Sequence, residues 1–139
     1  MWEKSYSTTT KAVTAKQLWR LFADVNNWHE WDEAIEYAKL EGDFQRGNFF
    51  TMKVKNGPKV KIELIETEEN RKFVDLTKFP GARMTGEHIL EETRDGLKIT
   101  TTMRVTGLLG FLWRRIVAQG IVDSLPQETE RQIEYAARY

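Results

Sequence analysis

Hydrophobic and polar residues alternate along most of this chain, and the period of alternation changes three times. Trp2, Tyr6, Thr8, Thr10 and Ala12 share one side of a period-two pattern, which predicts a strand over residues 2–12. Leu18, Trp19, Leu21 and Phe22 then follow at helical spacing. Thr14 stands three residues ahead of Gln17, the arrangement of a capping box, so a helix is expected over Ala15–Ala23. Asp24 and the Asn26-Asn27 pair are turn formers that end it. Trp28 and Trp31, three apart, place a second short helix or a single helical turn just after.

From about Ile35 the period returns to two. Phe50, Met52 and Val54 alternate with Phe49, Thr51 and Lys53, and Val60, Ile62 and Leu64 with Lys59, Lys61 and Glu63. Asn56-Gly57 between these runs is a strong hairpin signal. Further strands are predicted over Lys72–Phe79, Met84–Thr93 and Leu97–Thr106, separated by Pro80-Gly81 and Arg94-Asp95-Gly96. With residues 35–40 this makes seven strands joined mostly by hairpins, hence an antiparallel sheet with one wet and one buried face. Gly107 ends the strands and the remainder reads as helix. Leu109, Leu112, Ile116, Gly120 and Ile121 form an apolar stripe that continues in Leu125, Ile133, Ala136 and Ala137. Pro126 either kinks one long helix or opens a fresh segment capped by Ser124. The stripe on both sides of it favours the kink.

A chain of 139 residues with 40% hydrophobic and 12% aromatic content is expected to form one domain, residues 1–139. Lysine plus arginine equal aspartate plus glutamate, 21 against 21, so no net field draws in nucleic acid or an anionic membrane. There is no cysteine, which excludes disulfides and thiolate chemistry and fits a reducing compartment. The N-terminus lacks the apolar core of a signal peptide, and no run is long enough to span a membrane. A soluble cytoplasmic protein without stable membrane insertion is expected, its oligomeric state open. No nucleotide-binding glycine loop, nucleophile elbow or metalloprotease motif is present.

The order of strand, two short helices, six strands and long C-terminal helix is that of the helix-grip fold, an α+β architecture. The chain resembles the START-like (SRPBCC) superfamily, and within it the polyketide cyclase/dehydrase and lipid-transport families. The resemblance rests on Leu18-Trp19-x-Leu21-x-x-Asp24-Val25-x-x-Trp28-x-x-Trp31, on Leu40-Glu41-Gly42 followed by Gly47, on Asp95-Gly96 before a threonine-rich strand, and on Gly107 before the last helix. These are structural marks rather than catalytic ones. The resemblance implies a curved seven-stranded sheet gripping the long helix, with an apolar cavity between them for a small hydrophobic molecule of lipid, polyketide or aromatic type.

Trp19, Trp28 and Trp31 are expected to pack the core and plug one end of the sheet. His88 shares the alternation of Met84, Gly86 and Leu90, the side expected to be concave, where an imidazole can bind a polar ligand group or move a proton. A core histidine bonded to Thr101 is the competing reading. Asp75 alternates with Phe73, Thr77 and Phe79, and its facing is undecided against Val74 and Leu76. Arg83 raises the same question, whereas Arg104 alternates with Lys98, Thr100 and Thr102 and belongs outside. His29, with Asp32 and Glu33 close by, lacks the further ligands a metal needs, so neither metal nor cofactor is expected. Leu108 to Phe111 with Arg114 and Arg115 can form a membrane-touching or partner-touching loop. Against it, Trp113 would pack on the sheet with the arginines solvated.

The leading expectation is binding or carriage of a hydrophobic ligand lined by Met52, Val54, Ile62, Leu64, Met84, His88, Leu90, Ile99, Thr101, Met103, Leu112, Ile116 and Gly120, through apolar burial and one or two orienting polar groups. The alternative is a cyclase/dehydrase-like enzyme in which His88, with Asp75 or Arg83, moves protons. Convergence of two ionisable side chains in the interior would distinguish it. A third possibility is an interaction module with a filled interior. The entrance is open between Gly57-Pro58, Pro80-Gly81 and the terminal helix.

Overall fold

A computed structural model describes residues 1–139. Its elements are β1 (Trp2–Thr10), α1 (Ala15–Ala23), a 3₁₀ turn (Val25–Glu30), β2 (Ile35–Glu41), β3 (Phe49–Val54), β4 (Lys59–Glu68), β5 (Lys72–Phe79), β6 (Ala82–Thr93), β7 (Gly96–Thr106), α2 (Gly110–Trp113), a π turn (Arg114–Ala118) and α3 (Gln119–Ala136). The seven strands form one antiparallel sheet in the order β1-β7-β6-β5-β4-β3-β2. Five hairpin connections run through consecutive strands. The remaining neighbour pair, β1 and β7, joins the two ends of the strand sequence in perfect register from Trp2↔Val105 to Thr10↔Leu97. The chain therefore crosses from one edge of the sheet to the other between β1 and β2, and α1 with the 3₁₀ turn makes that crossing.

The sequence explains why α1 forms there. Thr14 accepts from the Gln17 backbone N–H while the Gln17 side chain accepts from the Thr14 N–H, closing the predicted capping box. The helix buries Leu18, Leu21 and Phe22 almost completely. Trp28 seals its C-terminal end by donating its indole N–H to the Leu21 and Phe22 carbonyls of the last turn, where the Leu21 carbonyl also accepts from the Asp24 N–H. Trp19, Trp28 and Trp31 are all buried, and Trp28 packs edge-on against Phe50 at 5.1 Å. The three tryptophans are therefore part of the core that closes this end of the sheet.

Cross-strand pairing puts Phe73, Asp75, Thr77, Met84, Gly86, His88, Leu90, Ile99, Thr101, Met103 and Val105 on one face. Phe50, Met52, Ile62 and Leu64 share it. This is the face that α1 and the long helix cover. Phe73 is its aromatic hub: it meets Trp19, Phe22 and Phe44 edge-on and stacks on His88.

The C-terminal helix departs from its predicted facing. Leu112 is 40% exposed, Ile116 is 61% exposed, and Gly120 meets open space, so all three expected lining positions lie outside. Ala118, Leu125, Thr129, Gln132 and Ala136 are buried instead. The reason is the π turn: its wider turn adds a residue between two α-helical stretches, so a stripe of strict helical period before it is not in phase with the stripe after it. Pro126 lies inside α3, and the Ser124 hydroxyl donates back to the Ile121 carbonyl rather than capping a new helix. β1 ends at Thr10, leaving Ala12 exposed in a bend short of the expected strand end.

Truncating the hub should be costly. Phe73→Ala is expected to lower unfolding free energy by about 3–5 kcal/mol, the range for a fully buried phenylalanine. Urea denaturation checks this, and a loss below about 1 kcal/mol would contradict the hub assignment.

Candidate functional site

The buried face carries two apolar clusters rather than one. The larger gathers α1, the 3₁₀ turn, Phe50, Ile62, Leu64, Phe73, Leu90, Ile99 and Ala136. The smaller gathers Ala82, Met84, Met103, Val105 and Ala118, with Trp2, Phe79, Trp113, Ile121 and Val122 against it. Between them runs a belt of polar residues: Asp75 and Thr77 on β5, His88 on β6, Thr101 on β7, and Glu128, Thr129 and Gln132 on α3. Thr77, Thr101, Thr129 and Gln132 are buried, and no buried side-chain polar atom is sealed off without a partner.

His88 and Asp75 form the centre of the belt. His88 Nε2 lies 3.4 Å from Asp75 Oδ2, and the imidazole stacks on Phe73 with ring centroids 4.1 Å apart at 11°. The stacking fixes the ring plane, and the carboxylate lies where an Nε2–H would point. Asp75 thus faces inward, with Phe73 and Thr77, and the partner of His88 is Asp75 rather than Thr101. Gly86 sits opposite Asp75 in the ladder, and a Cβ there would come within 3.0–3.1 Å of both carboxylate oxygens. The glycine leaves room for the carboxylate against the sheet. The side chains of Asp75 and His88 keep 17% and 18% exposure, so the pair is not sealed from solvent.

Glu128 completes the group from the helix. Burial, followed by the neighbouring charges of Asp32 and Asp75, raises its carboxyl to about 7. Asp32 is raised too, chiefly by burial, against the opposing pull of the Ala34 N–H and Arg131. Glu128 therefore holds a proton readily near neutrality, beside an ionisable carboxylate–imidazole pair. The belt can donate, accept or relay a proton, and can hydrogen-bond a polar group carried by an apolar molecule.

The other candidates lie elsewhere. Arg83 pairs with Lys78 and Thr106 on the outer face and is exposed. Arg104 is outside as well, bound to Glu3 and within 3.9 Å of Glu87. His29 is exposed. Met52, Val54 and Val60 keep partial exposure on the inner face, whereas Ile62, Leu64, Met84, Leu90, Ile99, Thr101 and Met103 are buried. The long helix packs against α1 and β1, and its π turn against β7, which leaves the β3–β5 half of the inner face less covered. Two surface depressions, of about 340 and 380 Å³, lie at the Phe79 end of the sheet; of the belt only Thr77 lines one of them, and the long helix lines neither. Glu128 and Thr129 are absent from the sequence-based site, although a signal existed: residues 118, 121, 125, 128, 132 and 136 keep helical spacing, and a glutamate in that row breaks an inward stripe.

A curved antiparallel sheet holding one long C-terminal helix, with two short helical segments after its first strand, is the helix-grip architecture of START-like proteins. Residues 2–129 match the family described as "Polyketide cyclase / dehydrase and lipid transport", and the chain belongs to it. The fold is similar to that of protein MLL2253 from Mesorhizobium loti, at 15% identity and a TM-score of 0.75, covering 99% of this chain and 98% of that one. It is also similar to a START superfamily protein from Mycobacterium smegmatis, at 14% identity and a TM-score of 0.70, covering 96% and 97%. The di-domain ARO/CYC StfQ from the steffimycin biosynthetic pathway matches at 14% identity and a TM-score of 0.73, over 99% of this chain and 50% of that one. No curated protein matches the sequence.

The raised Glu128 gives a pH dependence of definite sign. The folded state holds this proton more tightly than the unfolded chain, so its contribution is greatest below about 4.5 and is lost as pH rises to about 7. Across that window Glu128 should withdraw roughly 2–3 kcal/mol of stability. Glu128→Gln is expected to flatten the slope, as read by urea midpoints at successive pH values. An unchanged slope would show that Glu128 is not the group responsible.

Proposed function

We propose that this protein binds a small hydrophobic molecule between the sheet and the long helix, and that the belt holds the polar end of that molecule. The observation that carries this reading is the belt itself: hydrogen-bonding side chains placed between two apolar clusters, with accessible surface left on Asp75 and His88. An apolar ligand body gains from burial against Met52, Val54 and Val60, while a hydroxyl or carbonyl on it is oriented by His88 and Glu128. Ile62, Leu64, Met84, Leu90, Ile99, Thr101 and Met103 form the wall behind this site. Membership of a cyclase, dehydrase and lipid-transport family supports the substrate class without naming a ligand.

A second reading is proton-transfer catalysis on such a molecule. Three ionisable groups converge on the belt, and one has its pKa near 7, where a general acid–base is most effective. In this reading His88 is the proton carrier, Asp75 orients it, and Glu128 supplies or takes up the proton at the other side of the substrate.

Native mass spectrometry of the protein purified from its source, followed by identification of the extracted molecule, tests binding directly. A stoichiometric hydrophobic molecule is expected. With that molecule, His88→Ala should weaken affinity about tenfold, the equivalent of one lost hydrogen bond. If the molecule is instead turned over, Asp75→Asn should collapse kcat while leaving KM nearly unchanged. Failure of hydrophobic candidates to bind wild type would favour the filled-interior reading.

A further inference from the structure

The fold sorts the balanced charges into two unlike ends. The hairpins at Asn56-Gly57-Pro58 and Pro80-Gly81, and the loop from β7 into α2, all lie at one end, because Lys59 faces Lys53, Phe79 faces Ala82, and Arg83 faces Thr106 in the ladders. No acidic residue occurs from Phe44 to Ile62, from Leu76 to Gly86, or from Val105 to Val122. The turns at the opposite end mix the two signs: Glu41 and Asp43 with Arg46, Glu68 and Glu69 with Arg71, and Glu91, Glu92 and Asp95 with Arg94. The net charge of zero therefore hides an end whose turns are basic, facing an end of mixed charge.

The basic end also carries an exposed apolar stripe. Leu108, Phe111, Leu112 and Ile116 are 94%, 57%, 40% and 61% exposed and recur at helical spacing. The segment that carries them is tied to the sheet. The Leu109 N–H donates to the Gly81 carbonyl at 2.9 Å, the Trp113 indole donates to the Pro80 carbonyl at 2.8 Å, and Trp113 stacks on Phe79 at 4.4 Å. Trp113 thus packs on the sheet as expected while its neighbours point away from it. Lys78, Arg83, Arg114 and Arg115 surround this stripe and none is engaged in an ion pair. A depression of about 340 Å³ opens between Lys78, Arg83 and Gly107, of a size to take a phosphate-bearing headgroup.

We propose that this end docks on the surface of an anionic lipid bilayer, with Leu108, Phe111, Leu112 and Ile116 entering the interface and Lys78, Arg83, Arg114 and Arg115 meeting headgroups. Apolar side chains standing out of a basic rim fit a surface that is charged outside and apolar just beneath. A second copy fits less well, since a two-fold contact would set basic rim against basic rim. Docking is independent of which molecule the belt binds.

The test uses flotation of the full chain with phosphatidylcholine vesicles, and with vesicles containing about one third phosphatidylglycerol. Binding should be at least about tenfold stronger to the anionic vesicles and weaken as salt rises from ~0.1 to ~0.5 M. Arg114→Glu with Arg115→Glu should reduce it roughly twentyfold or more. Leu108→Ser with Phe111→Ser should reduce it as well, and these exposed substitutions should leave the urea midpoint in place. Lys11→Glu with Lys16→Glu, at the other end, should change binding less than about twofold. In Leu108→Trp, fluorescence of the new indole should shift to the blue on anionic vesicles. Absence of binding to anionic vesicles would overturn the proposal, as would equal losses from the Lys11/Lys16 pair. Self-association in sedimentation velocity that Leu108→Ser with Phe111→Ser abolishes, without vesicle binding, would assign the surface to a second copy and likewise overturn it.

Discussion

Phe73 is the residue on which the rest of this structure depends. It is almost completely buried near one end of the sheet, where it makes T-shaped contacts with Trp19, Phe22 and Phe44. Through those contacts it joins α1 and the β2–β3 connection to the middle of the sheet. One face of its ring lies against His88 and sets the imidazole beside Asp75. One side chain thereby couples the core that closes the fold to the site that gives it chemistry. Aromatic pairs of this kind add about 0.5–1.5 kcal/mol each beyond burial, and their directional preference restricts the ring as well as stabilising it.

The belt follows from the same geometry. A sheet that grips a single helix must fill a wide space, and this one does so with two apolar clusters that do not merge. Gly86 permits a carboxylate to lie flat on the sheet between them, and Glu128 approaches from the helix. Carboxyl groups brought together in partial burial resist simultaneous ionisation, so one of them keeps its proton toward neutral pH. That protonated carboxyl is a hydrogen-bond donor in a place where a purely apolar lining would offer none.

Much of the fold was legible in the sequence because its signals were local. Thr14 and Gln17 announced α1, Asn56-Gly57 a hairpin, and strict alternation put Met84, His88 and Leu90 on one face. Asp75 was undecided because Phe73 and Phe79 on one side balance Val74 and Leu76 on the other; only pairing with Gly86 and Leu64 resolves the facing. The helix misled for a different reason. A π turn has no strong sequence mark, and Leu112 and Ile116 look like core residues until the turn rotates them outward. Balanced totals likewise hid the basic end, since it depends on which turns the topology gathers together.

The most direct test of this account is the titration of Glu128, followed by carbon NMR of its side-chain carboxyl in the intact protein. A midpoint near 7 is predicted, reflecting burial beside Asp32 and Asp75. A midpoint near the ordinary glutamate value of about 4.3 would show that the carboxyl is solvated and remote from those charges, and would contradict a polar belt closed by the helix.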